Sequence, residues 1–194
     1  MSENTMSENS MSENSMSENA EGSPVVADEV KPLAWLLGRW TGVGTGQYPT
    51  IEDFRFGQEV GFSTDGRPFL TYWSRSWLLD DDGNQVRPLA TETGFWRPRP
   101  NNHIEMQLVH PTGYAEIWYG TLTVTGMENA TITGARVDMR TDMVARTESA
   151  KEYVDGHRLY GLVEGRLLWT FDMAAVGQSI TNHLAATLNR VEGS

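Results

Sequence analysis

The sequence contains no cysteine. Disulfides, thiolate metal sites, cysteine nucleophiles and thiolate-ligated haem are therefore excluded. Histidine is scarce, with only His103, His110, His157 and His183. None of them stands in H-E-x-x-H or H-x-H spacing, so a zinc site would need ligands assembled by the fold. No G-x-S-x-G nucleophile elbow occurs. No run approaches the roughly 20 apolar residues of a membrane span. Positive charge is also short: 15 Lys and Arg against 26 Asp and Glu leave a formal net charge of −11. Nucleic acid and anionic membrane surfaces both reward a basic patch, so neither is expected as a partner. The first residues are polar and acidic, unlike a secretory signal, and a cytoplasmic protein is the expectation. Finally, no stretch of twelve or more residues shows a clean helical period.

What is present begins with a five-residue repeat, MSENT-MSENS-MSENS-MSENA, over residues 1–20. It lacks large apolar residues other than methionine, and its period matches neither a strand nor a helix face. A disordered tail is expected over residues 1–27, with one folded unit over 28–194. Glu3, Glu8, Glu13, Glu18 and Glu21 place five negative charges in that tail. Residues 28–37, DEVKPLAWLL, suit a short helical turn plugging one end of a barrel.

Beyond Trp40 the chain reads as strands separated by turn chemistry at roughly ten-residue spacing. The expected strands are 39–46, 52–63, 68–79, 89–97, 102–109, 114–124, 129–137, 143–154, 157–163, 166–173 and 182–191. Thr64-Asp65-Gly66, Asp81-Asp82-Gly83-Asn84, Pro111-Thr112-Gly113 and Val163-Glu164-Gly165-Arg166 are turns, the last a tight hairpin. Seven tryptophans, six tyrosines and six phenylalanines suit a large β-sheet interior. The expected fold is all-β, an antiparallel up-and-down barrel of about ten strands, large enough to enclose a ligand cavity.

The stretch GRWTGVGTGQYPTI, residues 38–51, is the most distinctive. Period-two spacing puts Gly42, Gly44 and Gly46 on one strand face without side chains. Something else must approach that backbone, either a crowding strand or a ligand. Among the histidines, His103 and His157 follow turn residues and are expected to be exposed. His110 ends the strand NHIEMQLVH. His183 opens the strand HLAATLNRV, and its own face continues through Ala185 and Thr187, small residues that leave room for a planar ligand. Glu59, Glu92, Glu105, Glu116 and Glu152 lie in strand segments. Nothing in their spacing selects an acid–base pair, and solvated outer faces are expected. Arg97 and Arg99 in WRPRP are expected to cap strand ends.

Three segments resemble the nitrobindin family of small haem-binding β-barrels. They are LAWLLGRWTGVGTGQYPTIEDFRFGQEVGFS, with a G-x-W-x-G-x-G motif (Gly38, Trp40, Gly42, Gly44) and a Y-P-T-I extension, then ETGFWRPRPNNHIEMQLVHPTGYAEIWYGTL, and the closing NHLAATLNRV. The resemblance spans about residues 33–191. It implies one haem b per subunit held in the barrel, with His183 as proximal iron ligand. It also implies Thr50 near the pocket mouth, Lys151 as a haem-propionate contact, and His110 on the distal side, where the family often has glutamine. The implied activity is isomerisation of peroxynitrite to nitrate at ferric haem, with nitric oxide as a further ligand. Trp40, Phe54, Phe69, Trp73 and Trp118 are candidate pocket walls. Two rivals remain: a nitric oxide sensor or carrier, and a non-catalytic carrier of fatty acid or another apolar ligand. A lipid carrier would place an arginine with a tyrosine inside to meet a carboxylate. Nothing in the sequence indicates oligomeric state.

Overall fold

The structure, a computed structural model, describes residues 26–193, so the MSEN repeat lies outside the described residues. A 3-10 helix, Asp28–Leu36, leads into ten strands: β1 (Gly38–Tyr48), β2 (Ile51–Ser63), β3 (Leu70–Leu79), β4 (Gln85–Arg99), β5 (His103–His110), β6 (Tyr114–Glu128), β7 (Thr131–Arg146), β8 (Tyr153–Val163), β9 (Arg166–Ala175) and β10 (Thr181–Arg190). Each strand pairs antiparallel with its sequence neighbours. β1 also pairs with β10, which closes the barrel. Closure removes the sheet's two edge strands, leaving only strand ends paired on one side. The β8–β9 connection is the expected tight hairpin: Glu164 and Gly165 both take positive φ, 50° and 74°, as a type I′ turn demands.

Inward positions alternate with outward ones along each strand. In β5, Ile104, Met106 and Leu108 are buried; in β3, Leu70, Tyr72 and Ser74 are. Trp40, Trp96 and Trp118 are fully buried in this core. Truncating a side chain of that size to alanine costs about 3–5 kcal/mol. The helix plugs one end, as its composition suggested. Val30, Leu33, Trp35 and Leu36 join the core, and Trp40 Nε1 donates to Leu36 O at 2.7 Å. Arg190 fastens the plug from the last strand. Its guanidinium lies 4.2 Å from the Trp40 ring centroid and donates to Trp35 O and Leu37 O. Val26 and Ala27 pack against the same core, two residues ahead of the expected start of the folded unit.

Two strand assignments differ from expectation. β7 runs unbroken through 138–142, the gap between the expected strands 129–137 and 143–154, and residues 147–152 connect β7 to β8. The far end of β7 pairs with β6 but not with β8, so its side chains stay exposed and show no burial rhythm. His157, expected in an exposed turn after Asp155-Gly156, lies inside β8 with Cα partners Arg140 and Asp172. Gly156 is there to admit neighbours: a Cβ would overlap the Tyr153 hydroxyl and the Trp118 ring.

Candidate functional site

The end opposite the plug opens into a cavity of about 1140 Å³. Its walls come from β1, β2, β3, β4, β9 and β10, and it also touches Thr112 and Lys151 in the loops. Phe54, Phe56, Leu78, Leu79, Leu89 and Trp169 supply apolar surface, and Gln58, Ser74 and Glu92 are the polar groups deeper in. The Gln58 amide is anchored, donating to Ser74 Oγ at 2.9 Å and accepting from Trp169 Nε1 at 2.7 Å. Of the candidate walls, Phe54 lines the cavity, whereas Trp40 and Trp118 are buried in the core without lining it. Phe69 and Trp73 are outside: Phe69 packs on Phe95, and Trp73 covers the outward face of Gly61.

The glycines of β1 face inward between Trp40 and Tyr48. What approaches them is mostly protein. A Cβ on Gly46 would overlap the Phe54 ring, one on Gly44 the Phe56 ring, and one on Gly42 the Thr187 carbonyl. Glycine therefore makes room for the two phenylalanines that floor the cavity and for close approach of β10, rather than for direct ligand contact.

His183 reaches the cavity by a route that simple alternation does not predict. Alternation groups it with Ala185 and Thr187, but the buried positions of β10 are Ala186 and Leu188. The discrepancy is resolved by a β-bulge. Asn182 pairs with Asp172 and Leu184 with Phe171, leaving His183 as the extra residue between them. A bulge shifts the alternation by one and re-aims a side chain. The expectation that His183 shares an inward face with Ala185 and Thr187 is thus corrected, although the imidazole does face the cavity.

Its ring is caged by Tyr48, Phe54 and Phe171, with centroids 5.4, 6.4 and 6.1 Å away. Tyr48 is itself fixed, since its hydroxyl lies 3.1 Å from Ala175 O and accepts from Ala175 N–H at 2.9 Å. The β1–β10 ladder ends at Gly46 and Leu184, and the next carbonyl, Gln47 O, lies 2.9 Å from His183 Nδ1. A carbonyl only accepts, so Nδ1 carries the proton. Nε2 is then an unprotonated lone pair with no hydrogen bond among the described residues. Burial, with a smaller contribution from Arg158, holds the His183 pKa below the ordinary 6.5, against the opposing Gln47 bond.

Opposite His183 stands a buried polar network. Arg158 donates to both Glu92 oxygens, at 2.9 and 2.6 Å, and contacts Tyr160 OH at 3.2 Å. Tyr72 OH donates to Glu92 at 3.0 Å. Arg158 also stacks on Phe171, 4.7 Å from the ring centroid, the same ring whose other neighbour is His183. The Glu92 carboxyl pays for burial, but Arg158 and then His110 and Tyr72 hold its pKa down at about 2. Glu116 accepts from Trp118 Nε1 at 2.8 Å and lies 3.2 Å from His110 Nε2. Glu92 and Glu116 therefore do not lie on solvated outer faces, as their alternation alone suggested. Glu59 does point outward but is covered by Arg39 and Arg75. Arg97 Nη1 lies 3.0 Å from Glu105 on the exposed surface.

The other candidates divide between mouth and wall. Lys151 is exposed and lines the cavity from the β7–β8 loop, with Arg55 and Arg87 across it. Thr50 sits on the exposed β1–β2 turn beside Ile51, a lining residue. His110 lies between Glu92 and Glu116, and Glu92 rather than His110 faces the cavity. Burial pushes the His110 pKa down, but the two carboxylates outweigh it and raise it overall. His103 is exposed at the start of β5. The sequence reading missed Arg158, Tyr72 and the Gln47 carbonyl. R-x-Y at 158–160 was the available signal for the first.

These residues fit a haem. Among the described residues no cluster of three or more His, Cys, Asp or Glu side chains could hold a bare metal ion. One imidazole with a free Nε2 in a large cavity with apolar walls, and with Arg55, Arg87 and Lys151 beside Glu52, Asp53 and Asp81 in its lining, suits an iron whose other ligands belong to a porphyrin. A His183 that holds iron through Nε2 would lose it to a competing proton, so ferric haem affinity should then fall on acidification. The fall should centre below 6.5, since His183 is held neutral further down than a free imidazole. Titration of the Soret band against pH checks this.

Residues 29–190 match the model of the THAP4-like, heme-binding beta-barrel domain family. A protein of Nocardioides sp. called "Peroxynitrite isomerase" is 52% identical over 159 residues, covering 82% of this chain and 91% of that protein. A "Ferric nitrobindin-like protein" of Kineococcus radiotolerans is 44% identical, covering 82% and 92%. Among solved structures, Rv2717c from M. tuberculosis superposes with a TM-score of 0.78 at 35% identity, covering 86% of this chain and 99% of the other. The chain therefore belongs to the THAP4-like haem-binding β-barrel family, the group its nitrobindin-like motifs resemble.

Proposed function

We propose that this chain binds one haem b through His183 Nε2 and isomerises peroxynitrite to nitrate as a cytoplasmic protein, with nitric oxide as a further ligand of the same site. The observation that carries the reading is the inward His183 imidazole, protonated on Nδ1 by its bond to Gln47 O and bare on Nε2. Relatives called peroxynitrite isomerase at 52% and 48% identity support the activity.

Haem held by His183 would supply a ferric Lewis acid able to take a further small ligand. The chain does the rest. Gln47 O fixes the imidazole tautomer, and Tyr48, Phe54 and Phe171 fix the ring plane. Burial and the nearby Arg158 keep the ring neutral and therefore able to ligate. Phe54, Phe56, Leu78 and Leu89 line the cavity and would limit the access of water to a bound haem. Lys151, Arg55 and Arg87 would meet the propionate carboxylates at the mouth, with Thr50 at the same rim.

The lipid-carrier rival is weakened by the interior itself. Arg158 and Tyr160 form the arginine–tyrosine pair such a carrier would use, but Glu92 already occupies the guanidinium on both oxygens. A ligand carboxylate would meet an arginine whose charge is already paired with Glu92.

Peroxynitrite decay should be followed with haem-loaded and haem-free protein, with nitrate and nitrite both quantified. Faster decay with a larger nitrate share in the loaded sample is expected. Equal decay, or an unchanged nitrate share, would leave only a binding role.

A further inference from the structure

A bulge is an unpaired residue in a ladder, and a strand can place it at any of several neighbouring positions. In β10 its position decides where His183 points. Slipping it by one residue would return the imidazole to the outside of the barrel. Something must therefore pin it between Asn182 and Leu184.

The neighbouring pair is Asn182 and Asp172, Cα partners on β10 and β9. Asn182 Nδ2 donates to Asp172 Oδ1 at 2.8 Å, immediately before the register shift. Asp172 is supported from behind. Its second oxygen lies 3.4 Å from His157 Nδ1, and His157 Nε2 lies 2.9 Å from Asp138 Oδ1 on β7. Asn182 also reaches sideways, since its Oδ1 accepts from Gln47 Nε2 at 3.5 Å. Gln47 is the residue whose main-chain carbonyl receives the His183 Nδ1 proton. One side-chain contact thus ties the bulge to β9, and one residue of β1 touches both the bulge and the imidazole.

We propose that Asn182 and Asp172 are positioning residues for haem ligation, holding the β10 bulge in the register that aims His183 Nε2 into the cavity. The proposal rests on His183 being the iron ligand. Neither residue lines the cavity, so their effect passes through His183. Partners of this outer kind typically contribute 10–100-fold to metal affinity. The arrangement differs from a direct carboxylate–histidine bond: the imidazole proton goes to a main-chain carbonyl, and the carboxylate acts on the strand register.

The test measures loss of ferric haem to excess apomyoglobin, together with the melting temperature of the haem-free protein. The variants are Asn182→Ala, the exchanged pair Asp172→Asn with Asn182→Asp, and His183→Ala. Asn182→Ala should lose haem about tenfold faster or more, with a Soret band altered from that of wild type. The exchanged pair keeps one amide and one carboxylate in contact and should recover most of the wild-type rate. A rate for Asn182→Ala within twofold of wild type would overturn the positioning role while leaving His183 ligation standing. So would failure of the exchanged pair to recover the rate although its haem-free melting temperature matches wild type. If His183→Ala binds haem with the wild-type Soret band, the ligation reading itself falls, and this inference falls with it.

Discussion

Glu92→Ala should destabilise the barrel by about 3–5 kcal/mol, the cost of leaving a buried charge without its partner. Arg158 is 2% exposed, and Glu92 is the only carboxylate that it contacts directly among the described residues. Its remaining contacts are the Tyr160 hydroxyl and the faces of Phe171 and Trp118, and Glu116 acts on it only from a distance. Chemical denaturation would read the loss as a lower midpoint with an unchanged slope. Replacing both residues, Glu92→Leu with Arg158→Met, should recover most of the stability, because an apolar pair needs no charge compensation. If the double variant is as unstable as the single, the loss comes from packing rather than from the stranded charge. The pH dependence follows from the depressed Glu92 pKa. A carboxylate lowered from 4.5 to about 2 contributes stability in full above the ordinary value, and loses it as pH falls toward 2. The gap between wild type and Glu92→Gln should therefore narrow below about pH 4.

On the proposed role of His183, His183→Ala should abolish its hold on haem while sparing the fold. The imidazole is half-buried at a cavity already open to solvent, and its one hydrogen bond is to a carbonyl at the mouth that water can serve instead. The haem-free melting temperature should move by only a few degrees, within the range of about 1 kcal/mol. Haem affinity should fall by more than the 10–100-fold that an outer partner contributes. Free imidazole should restore part of the Soret spectrum by entering the vacated space between Tyr48, Phe54 and Phe171. A variant with an unchanged Soret band would refute the assignment of His183.

Much of the fold was legible from turn chemistry. Glu164-Gly165, Asp81 to Asn84 and Pro111 to Gly113 each end a strand where their backbone preferences require it. The expected break at 138–142 does not occur, since Asp138, Met139 and Arg140 pair with both β6 and β8 and Met139 is buried; only beyond Arg140 is β7 paired on one side alone. Gly156 misled because the glycine marks crowding by Tyr153 and Trp118, not a turn. In the site, His183 could be singled out by type and place, but its direction could not be read, because a bulge leaves no mark in composition. Glu92 and Glu116 look like surface residues on their own strands. Only the closed barrel brings Arg158, 66 positions from Glu92, to meet the first of them.

The bulge in β10 bears on how relatives of this chain should be compared. A histidine aligned with His183 carries the same chemistry only if the strand around it contains one residue more than its neighbour opposite. Two homologues can agree at that column and differ in outcome if one has lost a residue between Thr181 and Leu184. The first would present its imidazole to the cavity, and the second would present it to water. The residue count of β10 opposite β9, between Asn182 and Leu184, therefore decides which way a histidine at this column faces.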